Sequence, residues 1–262
     1  MRAIRIECFQ SLANYRKATS FLIKETFPLP PYSTVIGMIH AACDFQEYHD
    51  MKVSIQGTNK GTISDLYTRY SFSAGTKYEE GRHQICIHDK QDYGIFKGIA
   101  NTELVCENRM VIHIVPKEED FERVLQGLKY PKRYLSLGRH EDIVDIQKID
   151  VVNLIPNQTI TTKRDIYIPV RFVKGNREID VTNHFISETE KQELLKNQIN
   201  LGRLVKGTIY ILNKKYEITK NGIRRWDKKE GKFKSYYCPA GINIRNVCVD
   251  DYEVDKSAVV LV

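Results

Sequence analysis

EEDFERVLQGLKYPKRYLSLGRHED, residues 118–142, holds a helix, its stop and a glycine turn in one run. Phe121, Val124, Leu125 and Leu128 recur at i, i+3, i+4 and i+7, the spacing of one apolar helix face. Glu118, Glu119 and Asp120 fall in the first turn, where the helix dipole favours negative charge. Tyr130 and Pro131 mark the helix end. From Lys129 onward, four cations (Lys129, Lys132, Arg133, Arg139), two tyrosines (Tyr130, Tyr134) and Gly138 precede the next acid, Glu141. Gly138 can adopt a positive φ that turns consecutive backbone N–H groups inward, and the tyrosines add flat π surfaces. The segment reads as an anion-binding turn whose chemistry suits RNA. A helix end followed by a solvated basic loop has the same composition.

Working outward, residues 143–154 alternate in hydrophobicity, as do residues 3–9, with Ile4, Ile6 and Cys8 on one face and Arg5 and Glu7 on the other. Both predict strands. Pro30, Pro31, Tyr32 and Ser33 lead into Val35, Met38, Ile39 and Ala42 at helical spacing, with Ser33 as the expected N-cap. Gly37 inside that helix costs about 1 kcal/mol relative to alanine, so its expected use is close approach to a sheet or another backbone. Residues 51–56 and 62–72 are rich in β-branched and aromatic side chains, and a Gly/Asn/Lys turn separates them. Residues 73–101 carry Gly75, Gly81, Gly94 and Gly98 without a sustained period before alternation returns at 102–115. A protruding excursion between two sheet strands is expected there.

The order strand, helix, strand, strand, helix, strand is the split βαβ of ferredoxin-like (RRM-like) domains, an α+β fold whose sheet or loops often hold single-stranded RNA. Beyond Pro156 the signals become short strands at 166–173, 207–212, 215–219 and 233–238, with one helix after Ser187, where Ser187 and Glu190 form a capping box. We expect a ferredoxin-like βαββαβ domain over 1–155 and a smaller β-rich domain over 156–262, packed together.

The chain has 262 residues, and 40 Lys+Arg against 33 Asp+Glu give a net charge of +7, so only clustering of charge can speak for a polyanion partner. Its six cysteines stand ten or more residues apart, which excludes C-x-x-C zinc or redox motifs and predicts reduced thiols of a cytosolic protein. Residues 1–10 have no apolar signal core, and the apolar run at 27–43 is shorter than the roughly 20 residues a membrane span requires. No membrane association is expected.

Charge is clustered in several places. Tyr15, Arg16 and Lys17 follow the first strand, where a loop at the sheet edge can hold phosphate. Residues 214–234 hold nine Lys/Arg against three acids, with Arg224 and Arg225 beside Trp226, a pattern shared by exposed charged hairpins. The excursion adds Lys77, Tyr78, Arg82, His83, Lys90, Tyr93 and Lys97, able to pair phosphates and stack bases. Catalytic patterns are poor. There is no H-x-x-x-H, Walker A, G-x-S-x-G or G-x-G-x-x-G motif, so neither a metal site nor a cofactor is expected. His140 beside Arg139 has the makings of a general base for RNA cleavage, but belongs more naturally to a binding turn.

Residues 27–42, FPLPPYSTVIGMIHAA, and 134–142, YLSLGRHED, resemble the proline-rich entry to helix one and the glycine-arginine turn of the CRISPR-associated "Cas five" family of the RAMP superfamily. The run DLYTRY at 65–70 and Tyr15-Arg16 are weaker matches, and the nearest likeness is to the type I-B branch. The resemblance covers residues 1 to 155. It implies a non-catalytic subunit of the Cascade surveillance complex in the prokaryotic cytoplasm, capping the 5′ handle of the CRISPR RNA (crRNA). Neighbours would be the backbone subunit, the large subunit and target DNA near the PAM. It also implies a thumb hairpin at about 73–101, carrying Lys77, Tyr78, Arg82, His83, Tyr93 and Lys97. Handle contacts would come from Tyr15, Arg16, Lys17, Ser33, Gly37, Arg133, Tyr134, Ser136, Gly138, Arg139 and His140. The alternative is a metal-independent endoribonuclease that processes precursor RNA with a tyrosine, a lysine and a histidine, as in the I-C branch; the chain contains no Lys-His dipeptide to match.

Overall fold

The computed structural model describes residues 1–73, 75–173, 198–201, 207–219, 224–228 and 231–262. In chain order the elements are β1 (Arg2–Ala13), α1 (Tyr32–Cys43), β2 (Met51–Thr58), β3 (Thr62–Ser71), β4 (Ile85–His88), β5 (Asp92–Pro116), α2 (Phe121–Lys129), β6 (Asp145–Thr161) and β7 (Asp165–Pro169). Then come β8 (Thr208–Asn213), β9 (Tyr216–Ile218), β10 (Arg224–Trp226), β11 (Lys232–Cys238), β12 (Asn243–Asp250) and β13 (Ala258–Val259). The helix expected after Ser187 lies outside the described residues.

Four strands form the centre of a mostly antiparallel sheet in the order β6-β1-β5-β2, with α1 joining β1 to β2 and α2 joining β5 to β6. The alternation read in residues 3–9 works as expected: Ile4, Ile6 and Cys8 enter the main core with Val53, Ile55, Ile112 and Ile114. The two helices cover that face through Val35, Met38, Ile39 and Ala42 of α1 and Phe121, Val124, Leu125 and Leu128 of α2. Non-directional apolar burial is what fixes this layer. Ser33 does not cap α1. The helix starts two residues earlier than that cap would place it, with Pro31 in the capping position and no side-chain cap bond, because the ring of Pro31 already fixes an extended entry.

β5 is 25 residues long and serves two purposes. Its second half pairs with β1 and β2, while its first half pairs with β3, from Thr62↔Val105 to Ser71↔Phe96, and with β4. The excursion is therefore a hairpin whose arms begin at Thr62 and Val105. Residues 73–101 cover its tip and returning arm. Residues 62–72 are a strand, as expected, but they pair with β5 and not with β2.

The later strands extend the same sheet. β7, β11 and β8 add beyond β2, and β12 and β13 add beyond β6. The expected boundary at 155/156 falls inside β6, which pairs with β1 through one half and β12 through the other. The second face of the central strands is closed by the C-terminal segment. Ala258 O accepts from Gln56 Nε2 at 2.9 Å, Val260 N–H donates to Ser54 Oγ at 3.0 Å, and Val262 pairs with Val53 along the edge of β2. Beneath it, the wholly buried Arg5 meets Asp250 at 3.2 Å and stacks on Tyr252, and His113 Nε2 lies 2.8 Å from the same carboxylate. Burial pushes the His113 pKa down, so the neutral ring donates to Asp250. The sheet face that RRM-type modules offer to RNA is covered in this chain, leaving the loops and helix surfaces.

Candidate nucleic-acid interface

The turn at 135–143 is pinned from below. Leu135 and Leu137 are buried, Ser136 bridges to Ile143 with its side chain half-buried between them, and Gln10 Nε2 donates to Leu137 O and Asp142 O, both at 2.9 Å. Gln10 Oε1 accepts the Tyr15 hydroxyl at 2.6 Å, and that hydroxyl accepts from Asn108 Nδ2 at 2.9 Å. Gln10, Tyr15 and Asn108 are each at most 1% exposed, so a buried polar chain ties the turn to the sheet. Tyr15 is thus a core residue and not a stacking platform. Burial raises its pKa far above the phenol range, which also removes it as a proton acceptor.

The turn does hold an anion, and the anion is internal. Asp142, 2% exposed, accepts from Asn14 N–H at 2.9 Å, from Arg139 N–H at 2.8 Å and from the Arg139 guanidinium at 2.7 Å. A second carboxylate, Glu141, meets Arg139 Nη1 at 3.0 Å. Gly138 has φ +119°, and a Cβ there would lie 2.7 Å from Asp142 Oδ2 and 2.9 Å from Asn14 O. The close approach that requires glycine is therefore to the chain's own atoms. Arg139 and Gly138 build the turn and also line the cleft beside it. Arg133 pairs with Asp44 at 3.1 Å at the exposed end of α1. Tyr134 is 91% exposed and His140 lies on the surface.

Free positive charge gathers beside this turn. Asn14, Tyr15, Arg16, Lys24, Thr34, Gly138 and Arg139 line a cleft of about 430 Å³. The loop after β1 doubles back through an Arg16↔Thr26 bridge, and Asn14 Nδ2 secures it by donating to Lys24 O and Glu103 O, both at 2.7 Å. Lys24 then points at the hairpin, where its ammonium meets the Tyr67 hydroxyl and sits over that ring. Its pKa is lowered by burial first, then by the charges of Arg69, Arg16 and Arg139. Arg16 and Arg69 are exposed and form no ion pair among the described residues. Glu141 offsets this only in part, and three crowded cations form an electrostatic arrangement that a polyanion relieves. Lys17, by contrast, is paired with Glu25 at 3.2 Å.

Thr34 also lines a neighbouring groove of about 560 Å³, with Ser33, Gly37, Ala41, Arg133, Tyr216, Arg225 and Trp226 among its walls. Gly37 meets nothing within 4 Å of a Cβ position, contrary to the expected close packing on a sheet. It gives α1 a bare backbone facing the groove. Trp226 is 40% exposed, so the cationic cleft continues along α1 to an aromatic and arginine wall.

On the hairpin, Lys77 and Lys97 are exposed, while Tyr78 and Tyr93 are half-buried. Arg82 forms a two-pronged pair with Glu79. His83 is 6% exposed, packs on Phe96 at 4.6 Å, and accepts the Glu79 N–H, so it belongs to the core of the tip. The sequence reading found Arg16 and the turn but passed over Lys24, Arg69, Thr34, Asn14 and Asp142. Thr34, Arg69 and Asp142 fall within the family-like runs at 27–42, 65–70 and 134–142, whereas nothing in the sequence marked Asn14 or Lys24.

The family model described as CRISPR-associated protein (Cas5) matches residues 3–167, and the chain belongs to that family. Among solved structures, it is similar to a chain of a "CRISPR RNA-guided surveillance complex", with a TM-score of 0.51 and 12% identity over 92% of this chain and 91% of that one. A CRISPR protein from Archaeoglobus fulgidus matches over 99% of both chains with a TM-score of 0.46 and 8% identity. No curated protein matches. Among the described residues, no helix is long and apolar enough to cross a membrane.

Proposed function

We propose that the chain is a non-catalytic subunit of a type I CRISPR surveillance complex that binds the 5′ handle of the crRNA in the cleft and groove just described. The observation that carries this reading is the crowding of Arg16 and Lys24 in the cleft with Arg69 of the hairpin close enough to act on Lys24, none of the three in an ion pair among the described residues. Phosphates of the handle pair with these cations. The handle then runs over the bare backbone at Gly37 toward Arg225 and Trp226, where a splayed base stacks.

The strand order β6-β1-β5-β2 with two covering helices supports a ferredoxin-like βαββαβ core, as in RAMP proteins. The hairpin from Thr62 to Val105 acts as the thumb that separates handle from guide. Membership of the family supports a cytoplasmic assembly with a backbone subunit, a large subunit and target DNA near the PAM, in which this chain caps one end. Specificity comes from unstacked bases, because the covered sheet leaves no RRM-type surface.

The test is fluorescence anisotropy with a labelled handle RNA, a scrambled RNA and the DNA of the same sequence. Tighter binding of the handle RNA, weakened by Arg16→Ala and Arg69→Ala, is expected. Equal binding of all three would reduce the reading to non-specific charge attraction. A defined product from repeat RNA in the presence of EDTA would replace it with metal-independent processing.

A further inference from the structure

We propose that the tip of the hairpin binds one divalent transition-metal ion of the zinc class through Cys86, His88 and Asp92. In the β4–β5 register His88 faces Asp92 and Cys86 faces Gly94, so the three donors share one face of a two-stranded ribbon. One donor atom from each lies within 4.8 Å of the others. His88 Nδ1 is 2.6 Å from Asp92 Oδ1, and Cys86 Sγ is 3.8 Å from His88 Nδ1. Zinc at its ordinary bond lengths of about 2.0–2.3 Å separates neighbouring donors by roughly 3–4 Å. Small rotations of three exposed or half-exposed side chains therefore suffice. Gly94, opposite Cys86, has no side chain, and the His83 ring fills the space that one would take.

The donor set selects the ion. A thiolate with an imidazole and a carboxylate suits zinc or cobalt and gives magnesium or calcium little purchase. Three protein ligands leave a fourth position for water. The same face is backed by Phe96 and by His83, whose ring occupies the space over Gly94 and whose Nε2 is buried without a hydrogen-bond partner among the described residues. This gives the site one apolar wall and one unsatisfied imidazole nitrogen beside the cysteine strand. The ion would staple β4 to β5 across the turn at 89–91 and stiffen the end of the hairpin.

The test uses the full chain, reduced and stripped with chelator, titrated with Zn²⁺ alone by calorimetry and with Co²⁺ by absorption. One equivalent of Zn²⁺ is expected, with a thiolate-to-cobalt charge-transfer band and tetrahedral d–d bands for Co²⁺. Cys86→Ser should abolish the charge-transfer band, and Cys86→Ser and His88→Gln should each weaken Zn²⁺ binding at least tenfold. These positions lie at a solvent-facing tip, and circular dichroism of each variant checks that the fold is retained. Absence of stoichiometric binding, or equal binding by the wild type and both variants, overturns the proposal.

Discussion

Arg16 and Arg139 line the same cleft but differ in what neutralises them. Arg139 is held by Asp142 and Glu141, and the buried carboxylate raises its pKa further. Arg16 is exposed, has no carboxylate among the described residues, and helps to depress the pKa of Lys24. A cation that satisfies a buried acid stabilises the fold, whereas a cation crowded by other cations is poised for an external anion. The glycine turn is thus a foundation, and the loop it supports carries the unpaired charge that the proposed binding would use.

The most forceful way to break this comparison is Asp142→Ala. It removes the acceptor for Asn14 N–H, Arg139 N–H and the guanidinium together, and it should cost about 3 to 5 kcal/mol. The unfolding midpoint in urea measures this. A loss below about 0.5 kcal/mol would mean that the turn does not depend on its internal anion and that Arg139 is available to RNA after all.

Gly138→Ala is next. Its φ of +119° and the contacts a Cβ would make with Asp142 and the Asn14 carbonyl both oppose any side chain, for an expected cost of about 2 kcal/mol. RNA affinity, measured where the variant is fully folded, should change little, because the glycine faces the protein.

Arg16→Ala should invert that pattern. Stability should stay within about 0.5 kcal/mol of wild type, as for other exposed substitutions. Affinity for handle RNA should fall by about 1 to 2 kcal/mol, the value of one charge-assisted contact. The slope of log affinity against log salt should shrink by about 0.7, as expected for one single-strand phosphate contact. Lys24 adds a pH signature. Its pKa is depressed in the free protein, and phosphate favours its charged form, so affinity should weaken as pH rises through that lowered pKa, and RNA binding in this range should take up protons.

These contrasts also explain what the sequence could reveal. Helix α2 was legible because four apolar residues at i, i+3, i+4 and i+7 leave only one way to bury them, and β1 was legible because Ile4, Ile6 and Cys8 alternate with charges. The outgoing arm of the hairpin was legible from its β-branched and aromatic residues at 62–72, but the tip and returning arm appeared only as a gap in periodicity, since an arm largely exposed on both faces has no apolar alternation to read. The continuous sheet was hidden because edge pairing such as β7 with β2 depends on contacts more than 100 residues apart. The same holds for the site. Gly138 and Arg139 were visible as a cluster, but Asp142, three residues from Arg139, looked like the end of the basic run when it is the turn's buried partner. Tyr15 looked like a stacking ring because sequence reports aromaticity without burial. Lys24 and Arg69 meet only after the hairpin folds back beside the β1 loop. Cys86, His88 and Asp92 likewise escaped a search for helical or C-x-x-C spacing, because strand register brings them together.

The smallest effect sharpens the comparison most. Gly37 sits inside α1, where glycine is the poorer helix former, and a Cβ there meets no atom within 4 Å. Gly37→Ala should therefore raise stability by about 0.5 to 1 kcal/mol, opposite in sign to Gly138→Ala. If the groove accepts the handle's backbone against α1, that gain in stability should accompany a loss of RNA affinity, because the added methyl occupies the approach. Urea unfolding and anisotropy on one preparation separate the two readouts. A more stable protein with unchanged affinity would restrict the RNA path to the cleft lined by Arg16 and Lys24 and remove the groove along α1 from it.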